Sequence, residues 1–286
     1  MDNYIWQAIL LGVLQGVTEF LPISSSGHLA IVQELLPGFK QPGILLDVLL
    51  HFGTLAAVAL YFYQDLKILV LYLAPAGVGP RGTTSGWRLL IGLAVASIPT
   101  GLIGLTLQSR VEQMFQSLPA VGWALLGTAV LLVLGDLAVR FRGERMKAED
   151  PGLGQSLIIG IFQGLAVMPG LSRSGATISS ALMAGVEGRT AARFSFLLSI
   201  PAVAGATAVS LLKHRAEIEA AGAAEILGLI LGPVTAAAVG YAGIGLMMRV
   251  MKKARLSYFA VYCGLLGLFL LLTESAPLYL WAGSGW

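Results

Sequence analysis

The sequence predicts an all-α polytopic membrane protein with an inverted-topology repeat, each half consisting of one re-entrant helix hairpin and three transmembrane helices. Three observations predict it. Only 12% of the 286 residues are charged and 56% are hydrophobic, against roughly a quarter charged in soluble domains. Six stretches, 44–63, 87–108, 118–139, 192–213, 224–248 and 256–273, are apolar over the length of a bilayer crossing, which takes on the order of 20 residues. A sixteen-residue element also occurs twice, as GVLQGVTEFLPISSSG at 12–27 and GIFQGLAVMPGLSRSG at 160–175, 148 positions apart.

The elements follow in order. Residues 4–36 are apolar but are broken by Pro22 beside the serines at 24–26, so they read as two half-helices. The span 44–63 carries Asp47 and His51 one helical turn apart, either beside a site or lining an outward-facing polar surface. The glycine-rich spans near 92–104 and 222–245 suit close helix packing with no chemistry of their own. Residues 153–186 repeat the broken hairpin, and three more spans complete the chain. The whole is one membrane domain, repeat one at 1–148 and repeat two at 149–286. No small-residue cleavage site follows the first apolar stretch, which holds Glu19, and this argues against a removable signal peptide. The single cysteine, Cys263, sits in an apolar run as a packing residue and excludes an internal disulfide.

The cations set the orientation. If both hairpins turn back, thirteen of the eighteen fall on one side: Lys67, Arg81, Arg88, Arg140, Arg142, Arg145, Lys147, Arg189, Arg193, Arg249, Lys252, Lys253 and Arg255. Lys40, Arg110, Lys213 and Arg215 fall on the other, and Arg173 lies within the repeat. Short cytoplasmic loops hold the positive excess, so the termini and the loops near 40, 110 and 215 face outward. These cations occupy short gaps between apolar runs, which fits topology and not nucleic-acid binding. His214, between Lys213 and Arg215, reads as solvated. Three spans per half is an odd number, so the second half is inverted and the two hairpin tips can meet near mid-membrane.

Ser24, Ser25, Ser26, Gly27 and His28 in the first tip and Ser172, Arg173, Ser174 and Gly175 in the second each precede a serine-capped helix start. Two helix N-termini aimed at one centre hold an anion, and a planar guanidinium grips phosphate bidentately. The copies differ where reactivity would lie: Glu19 aligns with Val167, Ser25 with Arg173 and His28 with Ala176. The first tip therefore supplies a nucleophile and base, and the second a clamp. Glu19 can orient the histidine, act as the base or bind a divalent cation. Packing alone, a structural pairing of Glu19 with Arg173, and simple helix capping by His28 are the plainer alternatives. Gln15 and Gln163 can bridge half-helices or touch substrate.

The phrases QGVTEFLPISSSGH at 15–28 and PGLSRSGATIS at 169–179 resemble the two signature motifs of the undecaprenyl-diphosphate phosphatase, or bacitracin resistance protein, family. The resemblance covers the whole chain. It implies a bacterial inner-membrane enzyme, opening to the periplasmic or outer side, that removes the terminal phosphate of undecaprenyl diphosphate and so recycles the lipid carrier of cell-wall synthesis. It implies that Glu19 is the essential carboxylate, that Ser25 and His28 are nucleophile and base candidates, and that Arg173, Ser172, Ser174 and Thr177 bind diphosphate. Gln15, Ser24, Ser26, Gly27 and Gly175 complete the expected substrate contacts. It further implies a divalent cation, magnesium or calcium. Many members carry a glutamate where this chain has Gln15, so the metal would rest on Glu19, the diphosphate and water. The expected partners are the polyprenyl diphosphate and membrane lipid, with a homodimer allowed and nucleic acid not expected. A transporter or flippase of an anionic lipid is the rival, because broken inverted repeats are also transporter architecture.

Overall fold

Lipid cannot satisfy a backbone N–H or C=O, so a chain this apolar must pair those groups within its own segments, and helices do so. A computed structural model describes residues 2–39, 45–73, 84–114, 117–147 and 149–273. Lys40 and Arg81, two of the cations used above, and residues 274–286 lie outside them. The helices are α1 (Asp2–Thr18), α2 (Ser25–Leu35), α3 (Leu45–Tyr61), α4 (Tyr63–Leu73), α5 (Thr84–Met114), α6 (Leu118–Arg142), α7 (Leu153–Leu165), α8 (Arg173–Met183), α9 (Gly188–Lys213), α10 (Arg215–Ala220), α11 (Ala223–Val250) and α12 (Ser257–Thr273). Among the described residues the only β-type contact is a bridge between Lys147 and Val186.

Both repeated elements break between two helices. Pro22 disfavours the helical region for the residue before it, and the chain turns with the Ile23 amide donating to Leu21 O at 2.8 Å. In the second copy Gly170 adopts φ +92°, and a Cβ there would stand 2.4 Å from Val121 O, so only glycine fits this close approach to α6.

Of the six expected spans, four helical segments among the described residues are long and apolar enough alone: Gly86–Leu107, Leu118–Arg142, Gly188–Lys213 and Ala223–Val250. The expected 44–63 span instead ends at a bend of 81° between α3 and α4, which together could make a fifth. The polar start of α4 explains why it turns aside. Asp65 accepts from Arg193 at 2.5 Å, and Arg193 also reaches Asp150 at 2.6 Å, an ion group that belongs at a helix end. The described part of α12 has 17 residues and reaches Thr273, where the described residues end.

The halves exchange partners. α1 lies along α11, with a Cβ on Gly12 placed 2.4 Å from Gly232 O, and α7 lies along α5, with a Cβ on Gly160 placed 2.1 Å from Ala96 O. Small residues let these backbones touch, which is how helices associate in lipid without a hydrophobic driving force. α3 joins α11 by the same device, Gly53 against Pro233 O, and α6 pairs with α12 through Gly122 and Gly267. α3 and α9 pack together between the two exchanged pairs.

The helix starts sort to two ends. Tyr4 of α1 meets Gly228 of α11, whereas Arg88 of α5 pairs at 2.7 Å with Glu149 just before α7. Around that second end Arg193 meets Asp65 and Asp150, the Lys147 amide donates to Gly185 O, and Gly188 abuts Met251 O. Many of the cations counted above therefore share one end of the bundle.

Adding one methyl to α7 should have opposite effects at two positions. Gly160→Ala drives a Cβ into the Ala96 carbonyl and should cost about 1–3 kcal/mol through overpacking. Gly154→Ala enters open space and should gain about 0.5–1 kcal/mol from helix propensity. Thermal unfolding of the two purified variants against the parent checks the pair.

Candidate active site

The two tips interlock. A Cβ on Gly27 would stand 3.3 Å from the Gly170 Cα, and one on Gly175 would stand 3.4 Å from Pro22. Ser174 Oγ donates to Leu21 O at 3.2 Å, tying the second tip to the first. The caps match as well: the Gly27 amide donates to Ser24 Oγ at 3.3 Å and the Gly175 amide to Ser172 Oγ at 3.0 Å. α6 anchors the second tip through Thr128 Oγ1, which donates to Gly170 O at 3.0 Å and accepts from the Ser172 amide at 2.9 Å.

The copies part at the capping residue. Ser172 has φ −63°, but Ser24 has φ +69°, a left-handed conformation that a serine adopts at a cost of about 1–3 kcal/mol. The twisted backbone lies immediately before Ser25.

Glu19 is the hub. Its side chain is 4% exposed, and its Oε1 accepts from Arg173 Nη2, whose side chain is part-buried, in an ion pair that spans the two copies. Its Oε2 accepts from Ser25 Oγ at 2.5 Å and from Gln15 Nε2 at 2.8 Å, with His51 Nε2 3.5 Å away. Ser25 therefore points its proton at a carboxylate, the arrangement that activates a hydroxyl nucleophile. Two buried polar atoms here have no partner among the described residues, Arg173 Nη1 and Gln15 Oε1. One is a donor and the other an acceptor, and native structures seldom leave such groups unmatched. An anionic oxygen suits the first, and a cation or a donor proton suits the second.

The remaining expected residues divide. Ser24, Ser26, Gly27, Ser172, Ser174 and Gly175 form the walls of the junction, with the outer hydroxyls paired within each tip at 3.3 Å. His28 faces elsewhere: its Nδ1 donates to Ser24 O at 2.7 Å, and its Nε2 lies 2.7 Å from Tyr262 Oη with the rings stacked. Thr177 also turns away, its hydroxyl on Ser195 of α9 at 2.6 Å and on Arg173 O at 2.8 Å. Gln163 lies outside the centre, with Nε2 donating to Leu198 O at 3.3 Å. Cys263 is buried, and its Sγ lies 3.7 Å from Pro22 O. His214, read as solvated, is half-buried and bonds back to Ser210 O at 2.9 Å.

His51 joins the centre from α3. Its Nδ1 donates to Asp47 O at 2.8 Å, so its Nε2 carries a proton toward Glu19 only in the imidazolium form. Asp47 meanwhile accepts from Gln33 Nε2 of α2 at 2.6 Å. The one-turn spacing of Asp47 and His51 was the available signal, but it did not say which face met the tips.

A divalent cation finds no ready-made cage, since no cluster of three His, Cys, Asp or Glu occurs among the described residues. Gln15 Oε1 and Glu19 offer oxygens that suit magnesium, which usually binds through few protein groups and takes the rest from phosphate and water.

Two broken hairpins that close a buried carboxylate and guanidinium around a serine hydroxyl define a membrane-embedded enzyme equipped for an anionic substrate. The chain belongs to the family described as Bacitracin resistance protein BacA, which matches residues 8–269. It is 47% identical over 266 residues to an undecaprenyl-diphosphatase of Syntrophotalea carbinolica, covering 91% of this chain and 95% of that protein. Undecaprenyl-diphosphatases of Desulfosudis oleivorans and Methanosphaera stadtmanae are 41% and 38% identical, over 91% and 92% of this chain and 95% and 96% of theirs.

Breaking the central pair and replacing it should have different consequences. Glu19→Gln alone leaves Arg173 buried without its counter-charge and should cost about 3–5 kcal/mol, whereas Glu19→Gln combined with Arg173→Met should regain most of that loss. Thermal unfolding of the two variants measures the coupling, and both should be inactive.

Proposed function

We propose that the chain hydrolyses undecaprenyl diphosphate to undecaprenyl phosphate and inorganic phosphate, with Ser25 as nucleophile. The observation that carries the reading is the Ser25 Oγ to Glu19 Oε2 hydrogen bond beside an Arg173 guanidinium with one nitrogen still free. The serine oxygen attacks the terminal phosphorus as Glu19 takes its proton. The bond from that phosphorus to the bridging oxygen breaks, and the lipid monophosphate leaves with the electron pair. Water then attacks the phosphoserine, and the proton held on Glu19 returns to Ser25 Oγ. Arg173 and the amide-rich starts of α2 and α8 stabilise the charge of the transferring group, and positioning and electrostatics supply most of the rate in phosphoryl transfer.

Glu19 and the side-chain Oε1 of Gln15 would hold a divalent cation such as magnesium, which would supply charge neutralisation to the diphosphate when bound. Glu19 is the base in this scheme because it touches Ser25, whereas His28 is committed to Ser24 and Tyr262. The apolar helices around the junction suit the polyprenyl tail, so only the diphosphate needs polar partners.

In a bilayer the two halves lie inverted, the α1–α2 hairpin reaching inward from the outer face and the α7–α8 hairpin from the cytoplasm. The opposed helix starts at the two ends and the gathering of cations at one of them support this. The protein then resides in the bacterial inner membrane with its site opening outward. The unequal chemistry of the tips favours reaction over carriage of an unreacted lipid, since Glu19 and Ser25 of the first tip form a reacting pair that Arg173 of the second complements.

Ser25→Ala should lower phosphate release from undecaprenyl diphosphate by about a thousandfold or more. A wild-type rate in that variant would remove the serine from the reaction. Thr177→Val should retain turnover and lose about 1 kcal/mol of stability, because the hydroxyl serves Ser195 and not substrate. Chelation should abolish release, and added magnesium should restore it. Cysteines at Arg142 and Arg215 should label from opposite sides of intact cells; labelling from the same side would overturn the inverted arrangement.

A further inference from the structure

The cation-rich end of the bundle holds a cleft of about 630 Å³ that shares no residue with the reaction centre. Its floor and walls come from Tyr61 at the end of α3 and from Tyr241, Gly245 and Leu246 of α11. Arg189 at the start of α9, Arg249 at the end of α11 and Lys252 just beyond it bring three positive charges to its lining. Among the described residues none of these three forms an ion pair, whereas Arg193, one turn along α9 from Arg189, is neutralised by Asp65 and Asp150. The volume falls within the range of ligand sites, roughly 300–1,000 Å³.

A run of rings separates the cleft from the junction of the tips. Phe20, next to Glu19, meets Phe196 at 5.2 Å between centroids; Phe196 meets Phe62 at 6.3 Å, Phe62 meets Tyr61 at 5.0 Å, and Tyr61 meets Tyr241 at 5.4 Å. The apolar partition keeps an anion in the cleft distinct from one held by Arg173.

We propose that this cleft is a second anion site, which takes a phosphate group in contact with Arg189, Arg249 and Lys252. Three uncompensated cations around a concave surface are satisfied by a multivalent oxyanion, and guanidinium groups match its geometry better than ammonium alone. Tyr61, Tyr241 and Leu246 offer the apolar and amphipathic wall that the glycerol and first methylenes of a phospholipid require. Tyrosines also favour the membrane interface, and basic pockets between helices at that depth bind anionic headgroups. A phosphatidylglycerol headgroup therefore fits the cleft, and free inorganic phosphate shares its chemistry.

Native mass spectrometry of the full-length purified protein, titrated with phosphatidylglycerol and separately with phosphatidylcholine, tests the site. The wild type should retain the anionic lipid preferentially. The Arg249→Gln/Lys252→Gln variant should lose roughly thirtyfold in affinity for it, with each single variant losing roughly fivefold. Hydrolysis should stay at the wild-type rate in all of them, which also reports that they fold. Arg249→Lys should retain most of the binding.

Inorganic phosphate separates the two sources. Retention of phosphatidylglycerol that excess phosphate does not displace assigns the site to a lipid headgroup. Phosphate binding that depends on Arg249 and Lys252, without any lipid preference, assigns it to the free ion. If neither ligand's affinity changes in the charge-removed variants, or the wild type binds neither, the second site is overturned. The hydrolysis assay is a separate readout, so this result stands apart from the outcome for Ser25.

Discussion

Removing a carboxylate or a guanidinium from water costs several kcal/mol per ion even after the surroundings relax, and only a close opposite charge with further hydrogen bonds offsets it. Glu19 and Arg173 can therefore be withdrawn from water in this apolar bundle only together, and they come from elements 148 positions apart that each break between two helices where they meet. The breaks at Pro22 and Gly170, the matched caps at Ser24 and Ser172, and the contacts of Gly27 and Gly175 with the opposite tip all serve that meeting. The pair links the halves, but it also holds an incomplete hydrogen-bond set, with Arg173 Nη1 and Gln15 Oε1 unmatched.

Such a meeting needs rigid supports, and the supports are made of the smallest side chains. α1 and α7 each lie against a long helix from the other half through glycines at matched repeat positions, Gly12 and Gly160, and both pairs bring backbone against backbone. Close approach multiplies weak dispersion contacts and limits the freedom of the two half-helices, α1 with Glu19 just past its end and α7 leading into the turn before Arg173 at the start of α8. Duplication thus leads to function through packing: the same sequence element makes the same contact twice, and the two tips arrive at one place.

How much of this was legible follows from the range over which each signal acts. The broken elements, their serine caps and the candidate pairing of Glu19 with Arg173 rest on local sequence and on internal repetition, both visible in one dimension. The direction in which a side chain leaves its helix was not. Thr177 lies inside the second motif yet turns to Ser195, and His28 lies beside Ser25 in the chain yet turns to Tyr262, 234 positions away. His51 shows the converse, since a residue outside both motifs reaches Glu19 because α3 packs in the middle of the bundle. The bend after Tyr61 was hidden for a similar reason: α4 is apolar enough to extend a span, and only Arg193, 128 positions on from Asp65, shows why it does not.

The most informative departure from symmetry is a backbone one. Ser24 and Ser172 cap equivalent helices through equivalent hydrogen bonds, so capping demands no difference between them. Yet of the two only Ser24 takes a positive φ, in the tip whose Ser25 hydroxyl donates to Glu19. Strain at one of two otherwise matched positions is not needed to make the turn, since the second tip makes its turn without placing it there. What it does is set the direction in which Ser25 leaves the helix start, so that its hydroxyl lies 2.5 Å from Glu19. In the second copy the same position is Arg173, whose long side chain reaches Glu19 from a relaxed cap. A short side chain must be aimed by its backbone and a long one need not be. That difference accounts for two matched sequence elements placing two different side chains on one carboxylate.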